Sequence, residues 1–261
     1  MNLLSKLKLR KVKSNFQKTE GSENISLFCG DCLELMKNIP DSSVDMVLCD
    51  LPYGVTQNKS DIVIPFEPLW EQYNRIVKKG GAILLFAQGV FFIDLVNSNR
   101  KMFKYELVWD KVLLSNFLNA KVMPLRKHEQ IVVFCDGKTV YNPQMVQGKP
   151  NHSKGSPKST KNNNYGEYNF VASKEDGLKY PTSILTFSKP HPSVAKHRTE
   201  KPVELCEWLI RTYSNEGEVV LDNCMGSGST GVACKRSNRK FIGIELDEKC
   251  FEVAKERIHN E

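Results

Sequence analysis

The chain has 261 residues, 40% of them hydrophobic and 26% charged, a balance that excludes fibrous and disordered classes and suits one or two globular domains with a substantial core. No apolar run approaches the ~20 residues a membrane span requires, and Leu3 and Leu4 give way at once to Lys6, Lys8 and Arg10, so a secretory leader is not read and a cytoplasmic protein is expected. The formal net charge of +7 is concentrated in two stretches without acids: residues 1–19 hold six Lys and Arg, and residues 137–166 hold Lys138, Lys149, Lys154, Lys158 and Lys161. A solvated basic face explains one such stretch; two favour a polyanionic partner.

Residues 1–24 are basic and aperiodic and read as an arm. Ile25 to Phe28 reads as a short strand turning out at Gly30-Asp31, with a short helix through Leu33, Leu35, Met36 and Ile39. A strand from Val44 to Leu48 follows. Pro65 to Lys79 reads as an amphipathic helix with Leu69, Tyr73, Ile76 and Val77 on one face and Gly80-Gly81 as its stop. Ala82 to Phe86 suits a buried parallel strand, followed by a helix from Val90 to Asn97 and strands near Tyr105–Trp109 and Ile131–Phe134. Residues 137–195 break this rhythm with six prolines, an Asn162-Asn163-Asn164 run and few apolar side chains. They read as an irregular insertion long enough to carry function.

The alternation then resumes. A helix from Thr199 and Pro202 through Ile210 leads to the strand Val219–Leu221, a glycine-rich loop, a helix to Ser237, the strand Phe241–Ile244 and a last helix carrying Phe251, Val253, Ala254 and Ile258. The fold class is α/β, a doubly wound and mostly parallel sheet. The division expected is an arm at 1–24, halves of one catalytic domain at 25–136 and 196–261, and an insertion at 137–195.

Eight cysteines include one C-x-x-C, Cys29-Gly30-Asp31-Cys32. No second pair completes a zinc site, so reduced thiols and no metal are expected.

Two stretches carry chemistry. Val44–Cys49 ends in Asp50-Leu51-Pro52-Tyr53-Gly54, where proline and glycine force the chain out of the sheet. A carboxylate and an aromatic ring are thereby left at a strand's carboxyl end, where open α/β sheets bind ligands. In the second, Gly226, Gly228 and Gly231 fit G-x-G-x-x-G between strand and helix, and Glu245 ends the next strand, where a carboxylate can accept both hydroxyls of a ribose. A dehydrogenase would need a second mononucleotide half, and a Walker lysine is absent. Asp222 before the loop would repel a pyrophosphate but suits a cationic amino group such as that of S-adenosylmethionine.

Asp50-Leu51-Pro52-Tyr53 resembles the D-P-P-Y motif of amino-group DNA methyltransferases. Asp222 to Thr230 resembles their cofactor loop, and His197-Arg198-Thr199-Glu200-Lys201-Pro202 resembles the element preceding it. Catalytic motif before cofactor loop is the circularly permuted order of the family's beta class, and Trp109-Asp110-Lys111, Arg126 and His128 are family-like. Leu51, Asn223-Cys224 and Arg198 depart from the pattern without removing a polar group the chemistry needs.

The resemblance implies methyl transfer from S-adenosylmethionine to the N6 amine of a flipped adenine in double-stranded DNA. Asp50 and the Leu51 carbonyl would accept from the amine, beside Pro52, with Tyr53 stacking on the base. It also implies a cofactor site of Asp31, Cys32, Thr199, Lys201, Asp222, Cys224, Gly226, Ser227, Gly228 and Glu245, and target recognition by 137–195 with its five lysines on phosphates. A homodimer and a cognate restriction endonuclease are further candidate partners. Cytosine N4 methylation is the nearest alternative; a non-catalytic DNA-binding protein of this fold is the alternative from another class.

Overall fold

The computed structural model describes residues 19–20, 24–56, 61–115, 117–149, 161–162, 166–167, 177–189 and 200–261. The expected arm lies almost wholly outside them, as do Lys154, Lys158 and Thr199. The described residues divide into two compact units, residues 1–142 with 183–261, and residues 143–182.

In the larger unit, β1 (Thr19–Glu20), β2 (Ile25–Cys29), α1 (Cys32–Met36), β3 (Val44–Cys49), α2 (Phe66–Ile76), β4 (Val77–Ala87), α3 (Gly89–Ser98), β5 (Phe103–Ser115) and β6 (Arg126–Phe134) come first. The smaller unit holds β7 (Val146–Gln147), β8 (Lys161–Asn162), β9 (Gly166–Glu167) and β10 (Leu178–Lys179), paired antiparallel as β7 with β10 and β8 with β9. The larger unit then resumes with β11 (Ile184–Thr186), α4 (Val203–Tyr213), β12 (Val219–Asp222), α5 (Ser229–Arg236), β13 (Lys240–Glu245) and α6 (Glu248–His259).

The sheet order is β1-β2-β13-β12-β3-β4-β6-β5-β11. Pairing is parallel from β2 to β4 and between β5 and β11, and antiparallel where β6 meets β4 and β5 and where β1 meets β2. Side-chain alternation along each central strand feeds two cores, because successive residues of a strand point to opposite faces. Met46 and Leu48 of β3 join Leu84 and Phe86 of β4 against Leu205, Leu209, Val232 and Phe251. Val47 and Cys49 join Ile83 and Leu85 against Leu35, Leu69, Tyr73 and Ile76. This is the doubly wound α/β fold expected, and each fully buried Leu or Phe contributes about 1.5–3 kcal/mol to it.

Two expectations are corrected. Gly80-Gly81 do not stop a helix: α2 ends at Ile76 and β4 begins at Val77. At Gly81 an added Cβ would lie 2.8 Å from the Asp45 carbonyl oxygen and 2.6 Å from Val77 Cγ1, so glycine is there to let two strands approach closely. Ile184–Thr186, read within the irregular insertion, instead pairs with Val108–Asp110 as an edge strand of the main sheet. A three-residue strand has too little periodicity to be read in advance.

The winding direction places the site. From β12 the chain crosses through α5 to β13 on one side, whereas from β3 it crosses through α2 to β4 on the other. Adjacent strands whose crossovers leave in opposite directions open a crevice at their carboxyl ends, where such sheets bind ligands. Asp222 ends β12 and Asp50 follows β3, one on each side of that crevice.

Candidate active site

The backbone leaves β3 at Cys49, and the buried Leu51 side chain anchors the exit in the core beneath α2. Gly54 then turns with φ +68°. The loop beyond it is gathered by Asp61, whose carboxylate accepts from the amides of Gly54 (2.8 Å), Val55 (3.0 Å) and Thr56 (2.6 Å). Those bonds hold the Asp61 carboxyl below its usual range, outweighing what burial it has. The Tyr53 ring stacks at a tilt on Phe91, with centroids 4.9 Å apart.

Both Asp50 oxygens are engaged. Oδ1 accepts from the Tyr53 hydroxyl at 2.6 Å, and Oδ2 accepts from Lys201 Nζ at 2.5 Å. Lys201 Nζ also stands 3.4 Å from Glu129 Oε2 and 5.0 Å from the centre of the Phe86 ring. Glu129 Oε1 in turn accepts from Lys111 Nζ at 3.2 Å, which also reaches Ser115 Oγ. A line of alternating charge thus runs Asp50–Lys201–Glu129–Lys111, its ends supplied by β3 and β5. Lys201 was expected at the cofactor; its ammonium is found on the catalytic-motif aspartate.

The Asp50 side chain remains 28% exposed, against 11% for Lys201 and 12% for Glu129, so it is the member a ligand can reach. Burial pushes its carboxyl above the ordinary range, although Lys201 and Tyr53 pull the other way. Burial opposes the Lys201 ammonium, but Asp50 and Glu129 outweigh it and hold its pKa above the usual value. Glu129 is likewise kept ionised against burial by Lys201 and Lys111.

Across the crevice, Gly226 has φ +52° and an added Cβ would meet nothing within 4 Å, so its backbone borders open space. At Gly228, with φ +82°, an added Cβ would instead come within 3.0 Å of Ala254 Cβ and Ile258 Cδ1 of α6. The loop is held from behind by Arg257: its guanidinium pairs with Glu200 at 2.6 Å and donates to the Ser227 carbonyl and to Ser227 and Ser229 Oγ, each at 3.3 Å. Glu245 accepts from the Gly226 amide at 2.8 Å and the Asp247 amide at 2.9 Å. Asp222 accepts from Thr230 Oγ1 at 2.7 Å and the Cys224 amide at 3.1 Å.

These groups fit S-adenosylmethionine: an open glycine backbone, a carboxylate at the end of β13, and the buried carboxylate of Asp222, which suits a cationic amino group. Burial pushes the Asp222 carboxyl up to about 7, its hydrogen bonds opposing. An arriving ammonium pairs only with the ionised form, so affinity for S-adenosylmethionine should climb by up to about tenfold per pH unit below pH 7 and level off above it. Calorimetric titration between pH 5.5 and 8.5 measures this, and Asp222→Asn should flatten the profile. The effect on stability has the opposite sign. The folded state binds this proton more tightly than the unfolded chain, so Asp222 costs stability as pH rises from about 4 to 7.

The other expected cofactor residues fall on the same edge. Asp31 caps α1, accepting from the Glu34 amide at 3.1 Å, and follows Gly30, whose amide donates to the Glu245 carbonyl at 2.8 Å. Cys32 is buried and Cys224 half-buried, both free thiols. Contact with Cys224 and burial push the Cys32 thiol far up, leaving it an inert part of the wall. Asn223, where the family pattern has proline, accepts from the buried Tyr73 hydroxyl at 2.6 Å, so the departure is compensated. Lys138 is not brought to the site. It follows β6 beside Gly80, at the amino edge of the parallel strands. Lys149 and Lys161 belong to the smaller unit. Among the described residues, no cluster of three His, Cys, Asp or Glu could hold a metal, and no helix is long and apolar enough to cross a membrane.

The family profile described as DNA methylase matches residues 44–256. The chain is 27% identical over 254 residues to the type II methyltransferase M.HpaI of Haemophilus parainfluenzae, covering 90% of this chain and 74% of that one. It is 29% identical over 259 residues to the DNA adenine methyltransferase YhdJ of Escherichia coli (strain K12), covering 91% and 84%. Among solved structures, the fold matches the PvuII cytosine-N4-specific DNA methyltransferase with a TM-score of 0.64 at 18% identity, over 94% of each chain. It matches the M1.HpyAVI–SAM complex with a TM-score of 0.59 at 22% identity, over 89% of this chain and 98% of that one. With its glycine loop and its Asp50 motif facing one another across the switch point of the sheet, the chain belongs to the DNA methylase family.

Proposed function

We propose that the enzyme transfers a methyl group from S-adenosylmethionine to the N6 amine of an adenine flipped out of double-stranded DNA. The observation that carries this reading is the position of Asp50-Leu51-Pro52-Tyr53 just beyond the carboxyl end of β3, one strand from Asp222 and the glycine loop. An exocyclic amine is a weak nucleophile because its lone pair is delocalised into the ring. Two acceptors aimed at its hydrogens, the Asp50 carboxylate and the Leu51 carbonyl, favour a pyramidal nitrogen and localise that pair.

The cofactor supplies an electrophilic methyl on a sulfonium. The sulfonium would give that methyl up to the amine nitrogen and leave as a thioether, and Asp50 would take the amine's surplus proton. The upward push on the Asp50 carboxyl suits an acceptor of that proton. Pro52 holds Leu51 extended so that its carbonyl can take part. Extrusion of the base costs on the order of a few kcal/mol, and stacking on Tyr53 returns about 1–3 kcal/mol.

DNA would approach the carboxyl edge of the sheet. The β5–β6 hairpin emerges there, and residues 111–128 include Lys111, Lys121, Arg126 and Lys127 with no acid. The smaller unit remains the proposed target-recognition region, with Lys149 and Lys161 as candidate phosphate contacts. A cognate restriction endonuclease and a second copy of the chain are the further partners this reading admits. Tritium from methyl-labelled S-adenosylmethionine should enter acid-insoluble unmethylated genomic DNA on incubation with the protein; failure of any label to enter would remove the enzymatic reading. The same acceptor pair would serve the N4 amine of cytosine, and the identity of the labelled nucleoside separates the two.

A further inference from the structure

We infer that Glu129 is a positioning residue that takes Lys201 away from Asp50 when the target amine arrives. The inference rests on Asp50 being the acceptor of that amine.

The arrangement described above is not yet competent. Asp50 meets the incoming base with Tyr53 on one oxygen and the Lys201 ammonium 2.5 Å from the other. An ammonium there competes with the amine for Oδ2 and lowers the carboxylate's capacity to take a proton. It also stands where positive charge develops on the nitrogen as the methyl arrives. Lys201 therefore has to yield Oδ2, and a buried cation can yield only to another anion.

Glu129 is built to receive it. Its Oε1 is occupied by Lys111, which is fixed in turn by Ser115, and Ser115 Oγ donates to the Arg126 carbonyl at 3.0 Å across the β5–β6 pair. Its Oε2 is the one buried side-chain nitrogen or oxygen among the described residues without a hydrogen bond. That atom lies 3.4 Å from Lys201 Nζ; a shift of roughly half an ångström would bring the pair to the ordinary N–H···O distance of about 2.9 Å, and a further swing of the lysine side chain onto Glu129 would be needed to clear Oδ2. The Phe86 and Trp109 rings lie 5.0 and 6.0 Å from the ammonium and offer it their faces. A buried acceptor held by an ion pair but short of a hydrogen bond is costly; a lysine that moves between two carboxylates completes it. The device hands Asp50 to the substrate without leaving a bare charge on either side.

The test is a mutant cycle read by single-turnover methyl transfer to unmethylated DNA, with S-adenosylmethionine and DNA affinities measured alongside. Glu129→Gln should lower the transfer rate by about 10- to 100-fold with both affinities within threefold, because Lys201 then stays on Asp50. In a Lys201→Met background the same change should have no further effect, since nothing remains to be moved. A wild-type rate for Glu129→Gln, or an equal loss with and without Lys201, overturns the proposal. Should Glu129→Gln fail to fold, a crystal structure of the wild-type protein with DNA and cofactor decides: Lys201 on Glu129 Oε2 supports the transfer, and Lys201 still on Asp50 Oδ2 beside a bound base overturns it. An Asp50→Asn protein that retained activity would instead remove the underlying reading, whatever Glu129 does.

Discussion

Asp50→Asn should lower methyl transfer by at least about 10³-fold, the scale on which losing a group aimed at the transition state acts, while S-adenosylmethionine binds within about threefold of wild type. The substitution keeps the side chain's shape but removes the charge proposed to receive the amine's hydrogens and surplus proton. The groups proposed to hold the cofactor lie elsewhere, from Asp222 at the end of β12 to Gly228 in the loop beyond it and at Glu245 on β13, so their geometry should survive. Rapid-quench transfer assays and calorimetric binding separate the two quantities. Equal loss of binding and transfer would reassign Asp50 to the cofactor.

Arg257→Ala should produce the largest loss of stability. The guanidinium is 14% exposed, Glu200 only 7%, and the pair sits 2.6 Å apart behind the glycine loop. Breaking a buried pair by deleting one partner costs about 3–5 kcal/mol, and here the bonds to Ser227 and Ser229 go with it. The unfolding midpoint should fall by several degrees, and S-adenosylmethionine affinity should drop by about tenfold as the Ser227–Ser229 turn loosens. An unchanged midpoint in differential scanning calorimetry would mean that α6 supports the loop through Ala254 and Ile258 alone.

The parts of this site that were legible in the sequence are those carried by local pattern. Val44–Cys49 reads as a buried strand because every residue but Asp45 is apolar, and Asp50-Leu51-Pro52-Tyr53-Gly54 reads as its exit because proline and glycine leave no other course. The glycines between Val219–Asp222 and Ser229–Arg236 carry their own explanation in backbone geometry. What escaped the sequence depends on which strands pair. Lys201 meets Asp50 across 151 positions of chain, a contact that its place in a family motif beside the cofactor loop does not disclose. Glu129 comes into play only once β6 is known to lie between β4 and β5, which puts its carboxylate beside Lys111. Asp61 carries no pattern marking it as the residue that collects three loop amides. Arg257, on the solvated side of an amphipathic helix pattern, has no local signal of its ion pair with Glu200. The β4 start was misread because a lysine pair and two glycines look like a helix end; the close approach of Gly81 to Asp45 is a tertiary fact.

In the proposed reaction, Asp50 and the Leu51 carbonyl present an adenine amine to a methyl donor held across the crevice by Asp222, Gly226 and Glu245. Digestion of DNA treated with the protein and S-adenosylmethionine to single nucleosides, followed by mass spectrometry, tests it most directly. N6-methyladenine that disappears with Asp50→Asn is the result predicted; N4-methylcytosine in its place, or no methylated nucleoside from diverse genomic DNA, would contradict it.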